Sequence, residues 1–209
     1  MNKPLAAVAT AVVIPVRTFE GAKSRLGAVL DAEERRDLVE RLLRRTVAAA
    51  LATPDVTKVV VVSPDPEVLE VASAAGARPL LQASRGLNPA LQEARTATRA
   101  DRILVVRADL PSVTASDLAT VLAAGDAAGT PSVVLAPDRH GRGTNALLLT
   151  PPDVIDPAFG GDSRAAHTWL ASSADAAFAE VPGVLSLDID TADDLLLAET
   201  LLTEPPGVR

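Results

Sequence analysis

Cysteine is absent from all 209 residues, which excludes a disulfide framework, a thiolate zinc site and a cysteine nucleophile together. Tyrosine is absent as well, and three Phe and one Trp are the only large aromatics, so stacking on bases is not a main binding device. Positive charge is in deficit: 20 Lys and Arg face 27 Asp and Glu, a net charge of −7. Such a chain is poorly suited to displacing the counterions of a nucleic-acid backbone, although a small anion at a local basic site remains compatible. No stretch reaches the ~20 apolar residues of a membrane span. The apolar run from Leu5 to Val16 ends in Pro15-Val16-Arg17 rather than a small-residue cleavage site. It is therefore expected to be a first buried strand of a cytoplasmic protein, not a signal peptide.

What is present is aliphatic. Hydrophobic residues make up 48% of the chain, almost all of them Ala, Val, Leu and Ile, the material of helix-on-sheet packing. Uninterrupted strand-like runs at Ala11–Val16, Lys58–Ser63, Ala77–Leu81, Arg102–Arg107 and Ser132–Ala136 alternate with helical segments. Those segments are Asp31–Ala52 with Asp31 as cap, Pro66–Ala75 before Gly76, Asn88–Arg99, and Thr114–Ala124 before Gly125. Strands without polar alternation, separated by helices, predict an α/β fold with a mostly parallel sheet covered on both faces. Beyond residue 140 the order changes, with strands expected at Asn145–Thr150, Ala177–Val181 and Leu185–Ile189 and a helix at Ser163–Ser172. A last helix begins at Thr191, where Thr191 and Asp194 can form a capping box. With no repeat or linker visible, residues 1–209 are expected to form one domain, 203–209 being a frayed tail.

In an open parallel sheet, ligands collect beyond the carboxyl ends of the strands. Four segments there carry unusual chemistry. The loop after the first strand holds Arg17, Lys23 and Arg25, a positive spot suited to clamping a triphosphate, although solvated loop charges would look the same. Asp109 arrives at the end of an apolar strand, and Asp188 and Asp190 stand at i and i+2, on one side of an extended chain. Three such carboxylates suit a magnesium ion that keeps water and phosphate oxygens as its other ligands; the alternative is that Asp109 opens a turn and Asp190 caps a helix. The fourth segment runs through Arg139, His140, Thr144 and Asn145 and continues at Phe159-Gly160-Gly161-Asp162-Ser163. Its glycines and the hydroxyl of Ser163 at a helix start suit a second anion. His140 and His167 fit no zinc spacing and are expected in a loop and on a helix surface.

Taken in order, several segments resemble the guanylyltransferases that act on 2-phospho-L-lactate or phosphoenolpyruvate in coenzyme F-420 biosynthesis. They are Ile14-Pro15-Val16 with Ala22-Lys23-Ser24-Arg25-Leu26, Gly86-Leu87-Asn88, Ala108-Asp109-Leu110-Pro111, Ala136-Pro137-Asp138-Arg139 with Gly143-Thr144-Asn145, Phe159-Gly160 with Ser163 and His167, and Leu187-Asp188-Ile189-Asp190-Thr191. The resemblance implies a three-layer αβα fold like the nucleotide-diphospho-sugar transferases, with a local antiparallel strand. It implies Mg²⁺ on Asp109, Asp188 and Asp190, and catalytic roles for Lys23, Arg25 and Asp109. GTP, the co-substrate, would meet Pro15, Arg17, Lys23, Arg25, Gly86 and Asn88. The acceptor would meet Arg139, Thr144, Asn145, Gly160 and Ser163. Two departures stand out, since Arg17 occupies a position where lysine is expected and Ala83-Ser84-Arg85 precedes Gly86 in place of a more glycine-rich approach.

The reaction so implied is attack by an acceptor phosphate oxygen on the α-phosphorus of GTP. The second pKa of a phosphomonoester lies near ~6, so no general base is required. Among acceptors, phosphoenolpyruvate is expected ahead of 2-phospho-L-lactate and 3-phosphoglycerate, because Ala-, Val- and Arg-rich usage suggests a GC-rich bacterial source, where the family favours it. Further partners expected are the transferase that consumes the product and a second copy of the chain. Competing readings are a molybdopterin guanylyltransferase or sugar-phosphate nucleotidyltransferase, a glycosyltransferase using Asp188 and Asp190, and a nucleotide-binding module without turnover.

Overall fold

The computed structural model describes residues 8–202; the expected tail 203–209 and the first residues of the Leu5 to Val16 run lie outside them. Seven strands form one sheet: β1 (Thr10–Pro15), β2 (Val56–Ser63), β3 (Arg78–Leu81), β4 (Arg102–Val106), β5 (Ser132–Pro137), β6 (Thr144–Thr150) and β7 (Ala177–Glu180). Six helices accompany them: α1 (Ala32–Ala52), α2 (Pro66–Ala74), α3 (Leu87–Thr98), α4 (Ala115–Ala128), α5 (Ser163–Ser173) and α6 (Ala192–Leu202). The order across the sheet is β3-β2-β1-β4-β6-β5-β7. All neighbours are parallel except β6, which runs against both β4 and β5. The expected mixed sheet with one local reversal is the one found.

Period-2 side chains explain the layers. Val12, Ile14 and Val61 point to the face covered by α1, α2 and α4, whereas Ala11, Val13 and Val105 point to the face covered by α3 and α5. β1 and β4 are apolar on both faces and almost wholly buried, as central parallel strands must be. Each large aliphatic so buried contributes roughly 1.5–3 kcal/mol. No helix among the described residues is long and apolar enough to cross a membrane.

Local signals set the boundaries. Asp31 caps α1 in a capping box with Glu34, at 2.9 and 2.8 Å, and Thr114 does the same for α4 with Asp117. Two expectations fail. Gly125 does not end α4, which runs three residues further to Ala128, with Gly129 at φ +82° as its C-cap. It lies in the helix because α4 packs on β6 so closely there that a Cβ would stand 2.4 Å from Leu148 Cδ2. Gly125→Val should therefore lower stability by about 1–3 kcal/mol through overpacking. Chemical denaturation reads this directly, and an unchanged midpoint would contradict the close approach.

Leu185–Ile189 is not a strand. Every sheet position beside the reversal is taken, so this extended segment crosses the rim and spends its polar groups singly: Ser186 O accepts from Arg139 N at 2.8 Å, Leu185 O accepts from Asn145 Nδ2 at 2.8 Å, and Ile189 N donates to Asp109 O at 3.1 Å.

Candidate active site

The sheet order branches at β1, whose neighbours β2 and β4 lead to opposite edges. A crevice at such a switch point opens beyond the carboxyl ends of both strands. β6 runs the other way, so its first residue, Thr144, reaches the same rim that the parallel strands reach with their last. A cavity of about 870 Å³ occupies this rim.

Asp109 stands on the turn after β4, and the 185–190 segment is hung beside it by the Ile189–Asp109 backbone bond. Carboxylate oxygens of Asp109, Asp188 and Asp190 consequently lie within 4.8 Å of one another, although every element from α4 to β7 separates Asp109 from Asp188 in sequence. Lys23 Nζ donates to Asp109 Oδ2 at 2.6 Å and to Asp190 Oδ1 at 2.9 Å. Arg107 forks across Asp109 at 3.0 and 2.6 Å and comes within 3.6 and 3.7 Å of Asp188 and Asp190. Two cations among three carboxylates leave one net negative charge.

Ionisation follows from these contacts. Burial by itself would raise the Asp109 carboxyl, but Arg107 and then Lys23 hold it well below the usual carboxylate range. For Asp188, burial prevails and Asp109 and Asp190 add like charge, so its carboxyl is raised in spite of Arg107. Burial opposes the charge on Lys23, yet Asp109 and Asp190 more than offset it and its ammonium stays protonated. A partly neutralised set of hard oxygen donors, two of them lining the cavity, fits a divalent cation that keeps phosphate or water ligands. Asp109, Asp188 and Asp190 are the residues that would hold it.

The nucleotide-side expectations divide. Pro15, Arg17, Lys23, Arg25 and Gly86 line the cavity. Lys23 sits in the left-handed region at φ 50°, opening the short 3-10 turn Ser24–Leu26 that carries Arg25. Gly86, at φ +103°, opens α3. Asn88 does not line the cavity. Its amide grips the backbone of Phe159, Nδ2 donating to O at 3.1 Å and Oδ1 accepting from N at 2.8 Å.

On the acceptor side Thr144, Gly160 and Ser163 line the cavity. Ser163 opens α5, where first-turn amides lack intrahelical acceptors, and Asp162 makes no side-chain cap. Arg139 and Asn145 lie off the cavity. Arg139 pairs with Asp194, and Asn145 holds Leu185 O and Ser186 O. Asp194 in turn accepts from Asp190 N at 3.0 Å and Thr191 N at 2.7 Å, the expected capping box. These two residues thus brace the segment that carries Asp188 and Asp190.

Three residues escaped the reading of the sequence. Arg107 looked like the last residue of a strand, yet lines the cavity and straddles Asp109. Gln82 also lines it, its Nε2 donating to Ser84 O at 2.5 Å and Gly86 O at 2.9 Å. His167, expected on the surface, is wholly buried behind Thr144; Ser163, His167 and Ala171 form the buried stripe of α5, a helical spacing that the sequence already displayed.

Residues 10–203 match the family described as "Guanylyl transferase CofC like". The chain is 48% identical over 191 residues to a phosphoenolpyruvate guanylyltransferase of Sphaerobacter thermophilus, covering 89% of this chain and 90% of that protein. To the protein of the same name from Conexibacter woesei it is 39% identical over 206 residues, covering 96% and 92%. Among solved structures, a putative nucleotide-diphospho-sugar transferase from Desulfovibrio desulfuricans superposes with a TM-score of 0.73 at 16% identity, over 89% of this chain and 84% of that one. At that identity the likeness speaks for the fold, the three-layer arrangement expected from the sequence.

Proposed function

Because the chain belongs to the CofC-like guanylyltransferase family, we propose that it transfers GMP from GTP to phosphoenolpyruvate and releases pyrophosphate, as a cytoplasmic step in making coenzyme F-420. The observation that carries this reading is the meeting of Asp109, Asp188 and Asp190 with Lys23 at a cavity that Lys23, Asp109 and Asp190 line together with Thr144 and Ser163. Bound to the three aspartates, magnesium would supply neutralising charge at the α-phosphate. The chain's own residues do the rest.

The acceptor's phosphate is ionised at neutral pH, so these residues have to orient it and need not remove a proton. Thr144, Gly160 and the start of α5 offer donors for the anionic groups of the acid. Lys23, Arg17 and Arg25 face the triphosphate, and their charge stabilises the departing pyrophosphate. Lys23 is the one of the three already tied to the carboxylates, so it couples the cation site to the phosphate site. Arg107 keeps Asp109 in one orientation through two parallel bonds.

The test is to incubate the protein with magnesium, GTP or ATP, and each of phosphoenolpyruvate, 2-phospho-L-lactate and 3-phosphoglycerate, and to weigh the products. GTP with phosphoenolpyruvate should give the guanylylated acid and pyrophosphate. Turnover with ATP alone, or pyrophosphate released only with a sugar phosphate, would replace this reading by another nucleotidyl transfer.

A further inference from the structure

Thr144 lines the cavity although it is only 1% exposed. Immediately behind it His167 Nδ1 stands 3.1 Å from Thr144 Oγ1. The other ring nitrogen settles which partner donates. Ala158 N lies 3.0 Å from His167 Nε2, and a backbone N–H can only donate, so Nε2 is the bare acceptor. Burial pushes the imidazole down to about 4, which leaves one ring proton at neutral pH. That proton is on Nδ1 and is given to Thr144 Oγ1. One lone pair of the threonine oxygen is thereby taken, which leaves its own hydrogen free to donate elsewhere.

We propose that His167 is a positioning residue that fixes Thr144 as a hydrogen-bond donor toward an anionic oxygen of the acceptor acid. The same ring holds Ala158, next to the Phe159 backbone that Asn88 grips, so one side chain joins the start of β6 to the loop carrying Gly160. An acid bearing phosphate and carboxylate oxygens is accepted there because both are acceptors. A group that could only donate finds one lone pair of Thr144 already taken and is disfavoured. The inference rests on the guanylyltransferase reading for the identity of the acid, and on the hydrogen-bond geometry around the buried ring for the tautomer.

Two measurements test it separately. Nitrogen-15 spectra of histidine-labelled protein, assigned with His140→Gln, should show the His167 Nε2 unprotonated and Nδ1 protonated, unchanged from pH 8 to 5.5. An Nε2–H tautomer, or a ring that titrates in that range, overturns the proposal without any assay of activity. In kinetics, Gln at 167 keeps an acceptor near the Nε2 position, whereas Asn keeps a donor near Nδ1. His167→Gln and Thr144→Val should each raise KM for phosphoenolpyruvate about tenfold or more, as expected for losing one hydrogen bond to a charged group. KM for GTP should stay within about twofold, His167→Asn should recover most of the loss, and the Gln and Val changes together should cost no more than either alone. Additive losses, or losses in both substrates alike, would mean that His167 only fills space. Should the wild-type protein turn over no phospho-acid while the Nδ1–H tautomer is seen, the guanylyltransferase reading fails and the acceptor half of the proposal with it.

Discussion

Asp109→Asn should lower the rate of pyrophosphate release about 10²-fold or more while leaving the chain folded, the usual scale for losing a group that stabilises transition-state charge. Two bonds to Arg107 and one to Lys23 converge on this carboxylate, so an amide of the same shape removes the charge with little change in packing. It also removes one of three anionic ligands for a divalent cation, and calorimetric titration with magnesium should show weaker binding before any substrate is added. Folding should survive because the cations keep other partners: Lys23 retains Asp190 at 2.9 Å, and Arg107 retains Asp188 and Asp190 within 3.7 Å. Alanine is the harsher test, since it leaves a gap beside two buried cations. Turnover by Asp109→Asn near the wild-type rate would show that the aspartate cluster is scaffold and that the cation, if used, sits elsewhere.

The second large effect is on stability against acid, and His167 is its source. Its ring is buried and neutral, with a folded value of about 4 against an ordinary value of 6.5. An unfolded chain therefore takes up a proton before the folded one does, and in that interval stability rises with pH. The contribution is complete above pH 6.5 and is lost as pH falls toward 4. At about 1.4 kcal/mol for each pH unit between the two values, the loss is about 2 kcal/mol by pH 5 and about 3 kcal/mol by pH 4. Denaturant midpoints of wild type and His167→Gln, measured from pH 7 to 5, separate this from carboxylates that titrate lower. Wild type should fall across that window and the variant should stay nearly flat. Parallel curves would place the titrating group at another residue.

Much of this was legible because the decisive residues sit where backbone pattern and chemistry agree. An aspartate at the end of an apolar strand and two carboxylates at i and i+2 needed only the sheet's branching at β1 to meet. What stayed hidden depended on contacts that the chain makes with distant parts of itself. Arg107 reads as a strand's closing residue, and only the turn through Ala108 folds its fork back over Asp109. Gly125 imitates a helix stop because the reason for it, Leu148, lies on another element. The run Leu185–Ile189 has the composition of a strand, but the antiparallel β6 already occupies the place beside β4, and composition does not report vacancy in a sheet. Asn88, Arg139 and Asn145 have residue types suited to ligands, but in the fold the Asn88 amide holds Phe159, Arg139 pairs with Asp194 and Asn145 Nδ2 holds the 185–186 carbonyls.

The charged cluster draws on positions 23, 107 and 109, and then only on 188 and 190. Without the 188–190 segment the cluster would hold two cations against a single carboxylate, an excess of positive charge that would repel a divalent ion. Arrival of the 188–190 segment reverses that sign. A divalent ion at this cluster would therefore need the 188–190 segment docked beside Asp109 before the site carried the sign that attracts it.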